Sequence, residues 1–221
     1  MAADANACPV STAYDVPPER LERWLRRWVD EHGPVERTEV RGGRVTFVAG
    51  DGAQVDCDPP LMPLRGHGGV REGFDPAPLL EHARRRWVVG VVLVRLGGHA
   101  AGVFAGRRLV ASKVGSRNVH GRHSAGGSSQ KRFERRREGQ ARVALDAAAE
   151  NAVRVLGEHR RDIEAIVLGG DRRALATVIE DPRLRWLAPL ASERVLDVPD
   201  PRLTVLRGTP DAYLSTVMRP R

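Results

Sequence analysis

The 221 residues are 41% hydrophobic and 29% charged, enough for one large domain or two small ones with cores of their own. No apolar run approaches the roughly 20 residues that cross a bilayer, and the first residues lack a basic stretch followed by an apolar one, so the sequence predicts a soluble, cytoplasmic protein. Cys8 and Cys57 are the only cysteines, too few for a disulfide framework or a four-cysteine zinc site, and 36 Lys and Arg against 28 Asp and Glu leave a net charge of +8.

Residues 17–32 place Leu21, Trp24, Leu25 and Trp28 three and four apart, with Pro17 and Pro18 before them and Gly33-Pro34 after. That spacing predicts an amphipathic helix. Alternating runs at 35–40, 45–48 and 54–57 follow, separated by Gly42-Gly43 and Asp51-Gly52, and read as hairpin strands. Residues 58–78 carry five prolines and four glycines and are expected to be an irregular linker. The expected division is a small helix-plus-hairpin domain, an α+β part, over residues 1–80, and a second domain over 81–221.

The second domain opens with Trp87–Val94, a continuous apolar, β-branched run of the kind buried on both faces of a sheet. Strands at 100–104 and 108–114 would complete an antiparallel meander. From about Gln130 the period changes: Ala141, Leu145, Ala148, Ala152 and Leu156 mark one face of a long helix that stops at Gly157. Ile163–Leu168 reads as a buried strand, Asp171 as the cap of a helix reaching Ile179, and the tail as a strand near 194–198 and a helix over 210–218. Taken together the fold class is α/β with a mixed central sheet.

The charge is concentrated. Between Gly106 and Arg142 stand eleven basic and two acidic residues, a local balance of +9, while the rest of the chain comes to −1. Within that segment residues 115–140, GSRNVHGRHSAGGSSQKRFERRREGQ, join a predicted strand to the long helix. Glycines and serines at Gly115, Gly121, Ser124, Gly126, Gly127, Ser128 and Ser129 cannot pack a core, and a long loop in a compact domain is commonly functional. The arginines sit toward the helix N-terminus, where the macrodipole disfavours each cation by roughly 0.3–1 kcal/mol. Stability alone does not place them there; an arginine row that follows phosphates does. His120 and His123 are three apart but have no neighbouring Cys, Asp or Glu to complete a metal site.

The combination of Gly126-Gly127, Gln130, Arg132-Phe133 and Arg135–Arg137 resembles the Gly-Gly-Gln segment in the catalytic middle domain of archaeal and eukaryotic class I peptide-chain release factors. With two residues between glycine and glutamine it is closer to the Vms-like release factors, and within them to the actinobacterial and chloroflexi type of stand-alone peptidyl-tRNA hydrolase. The resemblance covers about residues 85–221. It implies an RNase H-like domain that carries a loop (Gly126, Gly127, Ser128, Ser129) to the peptidyl transferase centre, with Gln130 as the catalytic residue that positions water. Arg117, Arg122, Lys131, Arg132, Arg135, Arg136 and Arg137 would contact RNA, and Phe133 would anchor the helix. The implied partners are the large ribosomal subunit, its RNA and peptidyl-tRNA; the protein would act as a monomer without cofactor or metal. No stop-codon-reading domain is evident, which predicts codon-independent action in ribosome rescue or ribosome-associated quality control. Two alternatives stand beside ester hydrolysis: cleavage of the tRNA near its 3′ end, associated with eukaryotic Vms-like relatives, and a non-catalytic ribosome- or RNA-binding factor. A metal nuclease needs clustered carboxylates, and residues 87–114 contain none.

Overall fold

The computed structural model describes residues 12–61, 63–64, 68–95, 98–116 and 129–221, with backbone alone over 129–138. The chain forms two compact units, one of residues up to Arg85 together with Leu214–Arg221, the other of Arg86–Tyr213. The second unit is thus an insertion in the first, and the chain passes between them at 85–86 and again at 213–214.

The first unit is an antiparallel six-stranded sheet in the order β1-β11-β4-β3-β2-β5, made by β1 (Tyr14–Val16), β2 (Val35–Arg41), β3 (Arg44–Ala49), β4 (Gln54–Asp58), β5 (Gly69–Glu72) and β11 (Thr216–Pro220). The β2–β3 turn needs left-handed backbone at both Gly42 and Gly43 (φ 58° and 79°), which glycine adopts without a Cβ penalty. Helix α1 (Pro18–His32) buries Leu21, Leu25 and Trp28, and these join Val45, Phe47, Val55, Cys57 and Met218 in one core with Leu79 of α2 (Ala77–Arg84). The opposite face of the sheet is polar. There Thr46 Oγ1 donates to Asp56 (2.7 Å), Arg221 pairs with Asp56 (2.8 Å), and Asp58 is held by Arg44 Nε (2.5 Å) and by Arg219.

Two expectations change here. Residues 210–218 are not a helix: α5 runs from Leu203 to Tyr213 with Pro210 inside it, and the chain then straightens into β11. Met218 is fully buried opposite Cys57, and Arg219 and Arg221 reach Asp58 and Asp56, interactions that only an extended segment beside β4 can make. The stretch 58–78 is also more regular than its prolines suggest, since β5 pairs with β2, and α2 starts directly after Pro76.

The second unit is a mixed sheet in the order β10-β9-β6-β7-β8, built from β6 (Val88–Arg95), β7 (Gly98–Ala105), β8 (Arg108–Ser116), β9 (Ala165–Gly170) and β10 (Ala191–Leu196). The pairs β6/β9 and β9/β10 are parallel, and β7 is antiparallel to both β6 and β8, so β7 alone opposes the other four strands. Helix α3 (Ser129–Gly157) makes the crossover from β8 at one edge to β9 on the far side of β6. It packs Ala148, Ala152 and Leu156 against Val92, Val103 and Ile166, together with α4 (Arg172–Ile179) and a 3-10 helix (Pro182–Leu190). Residue 90 must be small in that layer, because a Cβ there would stand 2.6 Å from Ile166 Cδ1. On the other face α5 brings Leu206 against Gly102 and the Tyr213 ring against Phe104, centroids 6.2 Å apart. Helices on both faces explain why β6 reads as an unbroken apolar run. Asp171 caps α4 as its position predicts, its Oδ1 accepting from the Ala174 amide at 2.9 Å.

Candidate functional site

The basic segment begins where β8 leaves the sheet. Its last residues, Gly115 and Ser116, pair with His99 and Gly98 of β7, and the chain resumes at Ser129 as the first residue of α3. Arg117, Arg122, Gly126, Gly127 and Ser128, with His120 and His123, lie outside the described residues. Ser129, Gln130, Lys131, Arg132, Arg135, Arg136 and Arg137 occupy the first three turns of α3.

The way α3 is packed sets what those turns can do. Among residues 139–147 none is buried, and Ala148 is the first described residue of the helix to be so. Eighteen residues separate it from Gln130, about 27 Å along a helix that rises about 1.5 Å per residue. The C-terminal half carries the apolar face; Ala148, Ala152 and Leu156 repeat at four-residue spacing and fix the rod on the sheet. The N-terminal half carries the sequence KRFERRR, with arginines at 132, 135, 136 and 137.

At the root of this segment is a cavity of about 330 Å³. Val94, His99 and Ala174 form its buried interior, and Ala141, Ala144 and Leu145 of α3 form one wall. His99 is 7% exposed, and its Nε2 is hydrogen-bonded to the Asn151 side-chain amide at 2.7 Å. The ring fits only because residue 115 is glycine: a Cβ there would stand 2.4 Å from His99 Nε2. Arg95, Asp171, Arg173 and Thr177, all exposed, make the rim. Arg95 also pairs with Asp197 at 2.6 Å. Asp171 is the helix cap that the sequence predicts, whereas His99 has no local sequence signal, and the cavity they border draws its groups from residues 94 to 177. The signal available in sequence was the parallel strand ending in Gly169-Gly170 before a capped helix. Among the described residues no group of three or more His, Cys, Asp or Glu is arranged to hold a metal, and no helix is long and apolar enough to cross a membrane.

A 93-residue stretch, 42% of this chain, is 32% identical to peptide chain release factor subunit 1 of Methanopyrus kandleri; it covers 22% of that protein, so the chain spans only about a fifth of the relative's length. The crystal structure of the archaeal translation termination factor aRF1 aligns over 86% of this chain and 68% of its own, at 16% identity and a TM-score of 0.43. Pelota of Archaeoglobus fulgidus aligns over 95% of this chain and 66% of its own, at 12% identity and a TM-score of 0.34. The model of the actinobacteria/chloroflexi VLRF1 release factor family matches residues 75–219, about two thirds of the chain including the whole inserted unit, and the protein belongs to that family.

Proposed function

We propose that this release-factor family member is a codon-independent peptidyl-tRNA hydrolase that acts in the cytoplasm on peptidyl-tRNA held by the large ribosomal subunit, in ribosome rescue or quality control. The observation that carries the reading is the position of Gln130, in the first turn of a 29-residue helix whose first buried described residue is Ala148. A rod held at its C-terminal half and basic at its other end delivers one carboxamide to a distant, RNA-lined site, with the arginines spread over phosphates on the way. The reversed second strand of the five-stranded sheet supports an RNase H-like assignment for the unit that holds the rod.

The chemistry asks little of the protein. Water adds to the ester carbonyl carbon, the bond from that carbon to the ribose oxygen breaks, and a proton from water ends on that oxygen, leaving the peptide acid and free tRNA. An acyl ester is already activated, so orientation of the water contributes more than a strong base. The Gln130 carboxamide oxygen would accept from the attacking water while its N–H₂ donates to the developing oxyanion. Gly126 and Gly127 would let the backbone approach RNA without a Cβ. Neither a metal nor a cofactor enters these steps, and one copy of the chain is sufficient for them.

Large subunits loaded with labelled peptidyl-tRNA provide the test. The protein releases peptide, and Gln130→Ala lowers the rate constant by about 10²–10³, the range for removal of one oxyanion-stabilising group. Unchanged release by the variant refutes the assignment. Sequencing the tRNA 3′ end separates ester hydrolysis, which leaves it intact, from cleavage of the tRNA; salt-sensitive binding with no release identifies a non-catalytic factor.

A further inference from the structure

The cavity beside His99 has a position and composition that the hydrolysis of peptidyl-tRNA does not use. It opens at the carboxyl ends of the parallel strands β6 and β9, through Val94, Arg95 and Asp171. From β6 the chain proceeds to β7 on one side and, through α3, to β9 on the other. This divergence is the switch point of an open α/β sheet, where loops part and a crevice forms. Contacts between strand ends keep the rim in place. The Asp171 amide donates to Val94 O at 2.8 Å, and a Cβ on Gly170 would stand 2.1 Å from that same oxygen, so residue 170 must be glycine.

Size and lining narrow the occupant. A volume of 330 Å³ lies at the lower end of the roughly 300–1,000 Å³ range of small-molecule sites, and at about 30 Å³ per water it has room for roughly eleven. A phosphate ion alone would leave most of it empty. The interior is aliphatic at Val94, Leu145 and three alanines, which suits a flat apolar body, and His99 offers a ring edge at its floor. Two guanidinium groups, Arg95 and Arg173, stand at the mouth with the carboxylate of Asp171, and Arg95 is also paired with Asp197. Asp171 uses Oδ1 for its cap, and the other lone pairs of a carboxylate at a strand end are placed to accept from sugar hydroxyls. The Arg95 pair with Asp197 is at the surface, where such pairs contribute about 0–1 kcal/mol, so exchange of Asp197 for a phosphate costs little.

We propose that this cavity is a nucleotide site: a nucleobase enters between the α3 alanines and His99, the ribose faces Asp171, and the 5′-phosphate is held by Arg95 and Arg173. The same chemistry is offered by a free nucleoside monophosphate and by an unpaired nucleotide of an RNA. Because Ala141, Ala144 and Leu145 form one wall, an occupant bears directly on the helix whose first turn holds Gln130.

The test is calorimetric titration of the full chain, off the ribosome, so that it is independent of peptide release. AMP, CMP, GMP and UMP are titrated singly, with adenosine, inorganic phosphate and a 5′-phosphorylated single-stranded RNA tetranucleotide as comparisons. At least one monophosphate binds one to one, while adenosine and phosphate each bind tenfold or more weakly. Arg173→Ala, an exposed helix position, weakens the nucleotide at least fivefold, and Ala144→Leu, a good helix former filling the cavity, abolishes binding; far-UV circular dichroism checks that both fold. Tighter binding of the tetranucleotide assigns RNA as the source, and binding of the monophosphate alone assigns the free nucleotide. Absence of binding by all four monophosphates at millimolar concentration overturns the proposal, as does phosphate binding as tightly as the best of them, or Ala144→Leu retaining wild-type affinity. Loss of peptide release with nucleotide binding intact would count against the hydrolase reading alone.

Discussion

Gly115→Ala isolates the contact that seats His99 at the root of the basic segment. The added Cβ meets His99 Nε2 at 2.4 Å, Cε1 at 2.6 Å and Asn151 Nδ2 at 3.3 Å. The backbone at 115 is not in the left-handed region, so the cost is steric. His99 is buried and cannot swing into solvent without leaving its hydrogen bond, so either β8 moves away from β7 or the ring moves away from Asn151. Overpacking of this kind costs about 1–3 kcal/mol, and loss of the amide–imidazole bond adds about 0.5–1.5 kcal/mol. A destabilisation of about 2–4 kcal/mol lowers Tm by roughly 5–15 °C in a chain of this size. Thermal melts and urea titrations of Gly115→Ala, His99→Ala and the double variant form a cycle. In the His99→Ala background only Asn151 Nδ2, at 3.3 Å, remains close to the Cβ of residue 115, so the cost of Gly115→Ala falls below about 1 kcal/mol and the coupling exceeds about 1 kcal/mol. Equal cost in both backgrounds, or a Gly115→Ala variant as stable as the parent, would show that the ring does not depend on the missing side chain.

The remaining predictions concern charge. Replacing Arg135, Arg136 and Arg137 together by Gln reduces the slope of log K against log salt for large-subunit binding by about 2–3, since each phosphate contact contributes about 0.7–0.9; sedimentation binding across a salt series measures it, and an unchanged slope removes these residues from the RNA contact. In the first unit, burial by itself would raise the Asp58 carboxyl, but the hydrogen bonds from Arg44 and Arg219 outweigh it and hold its pKa below the ordinary carboxylate value. The stabilisation this represents is complete above the unfolded pKa near 4 and is lost as pH falls through the lowered folded value. Asp58→Asn is therefore less stable at neutral pH and flatter between pH 4 and pH 2 than the parent; coincident slopes in urea midpoint against pH over that window would refute the linkage.

What could be read in the sequence was what neighbouring residues encode. Helix α1, strands β2–β4 and the meander β6–β8 follow from periodicity with glycine at each turn, and the helix that begins near Gln130 from a change of period. The misread parts depend on distant partners or on prolines with two meanings. Pro76 and Pro78, taken as breakers, stand at the start of α2, where a missing N–H costs nothing; Pro210, taken as a helix start, sits inside α5. Strand β5 is exposed at all four residues and has no alternation to reveal it. The motif at 126–137 was legible because it is contiguous, while the cavity, drawn from β6, β7, α3 and α4, left only its capped turn in the sequence.

The return of residues 216–220 to pair between β1 and β4 has a consequence for synthesis. Tyr14–Val16 and the open side of β4 must await a strand translated after the entire inserted unit, a separation of about 200 residues from β1 and about 160 from β4. Such long-range closure is slow, and until it occurs the emerging chain presents Asp56 and Asp58 without Arg219 and Arg221. The inserted unit, contiguous from Arg86 to Tyr213, can mature earlier. Assembly is thus ordered from the inside outward, and a released chain lacking only residues 214–221 would hold a finished insert within an unfinished host.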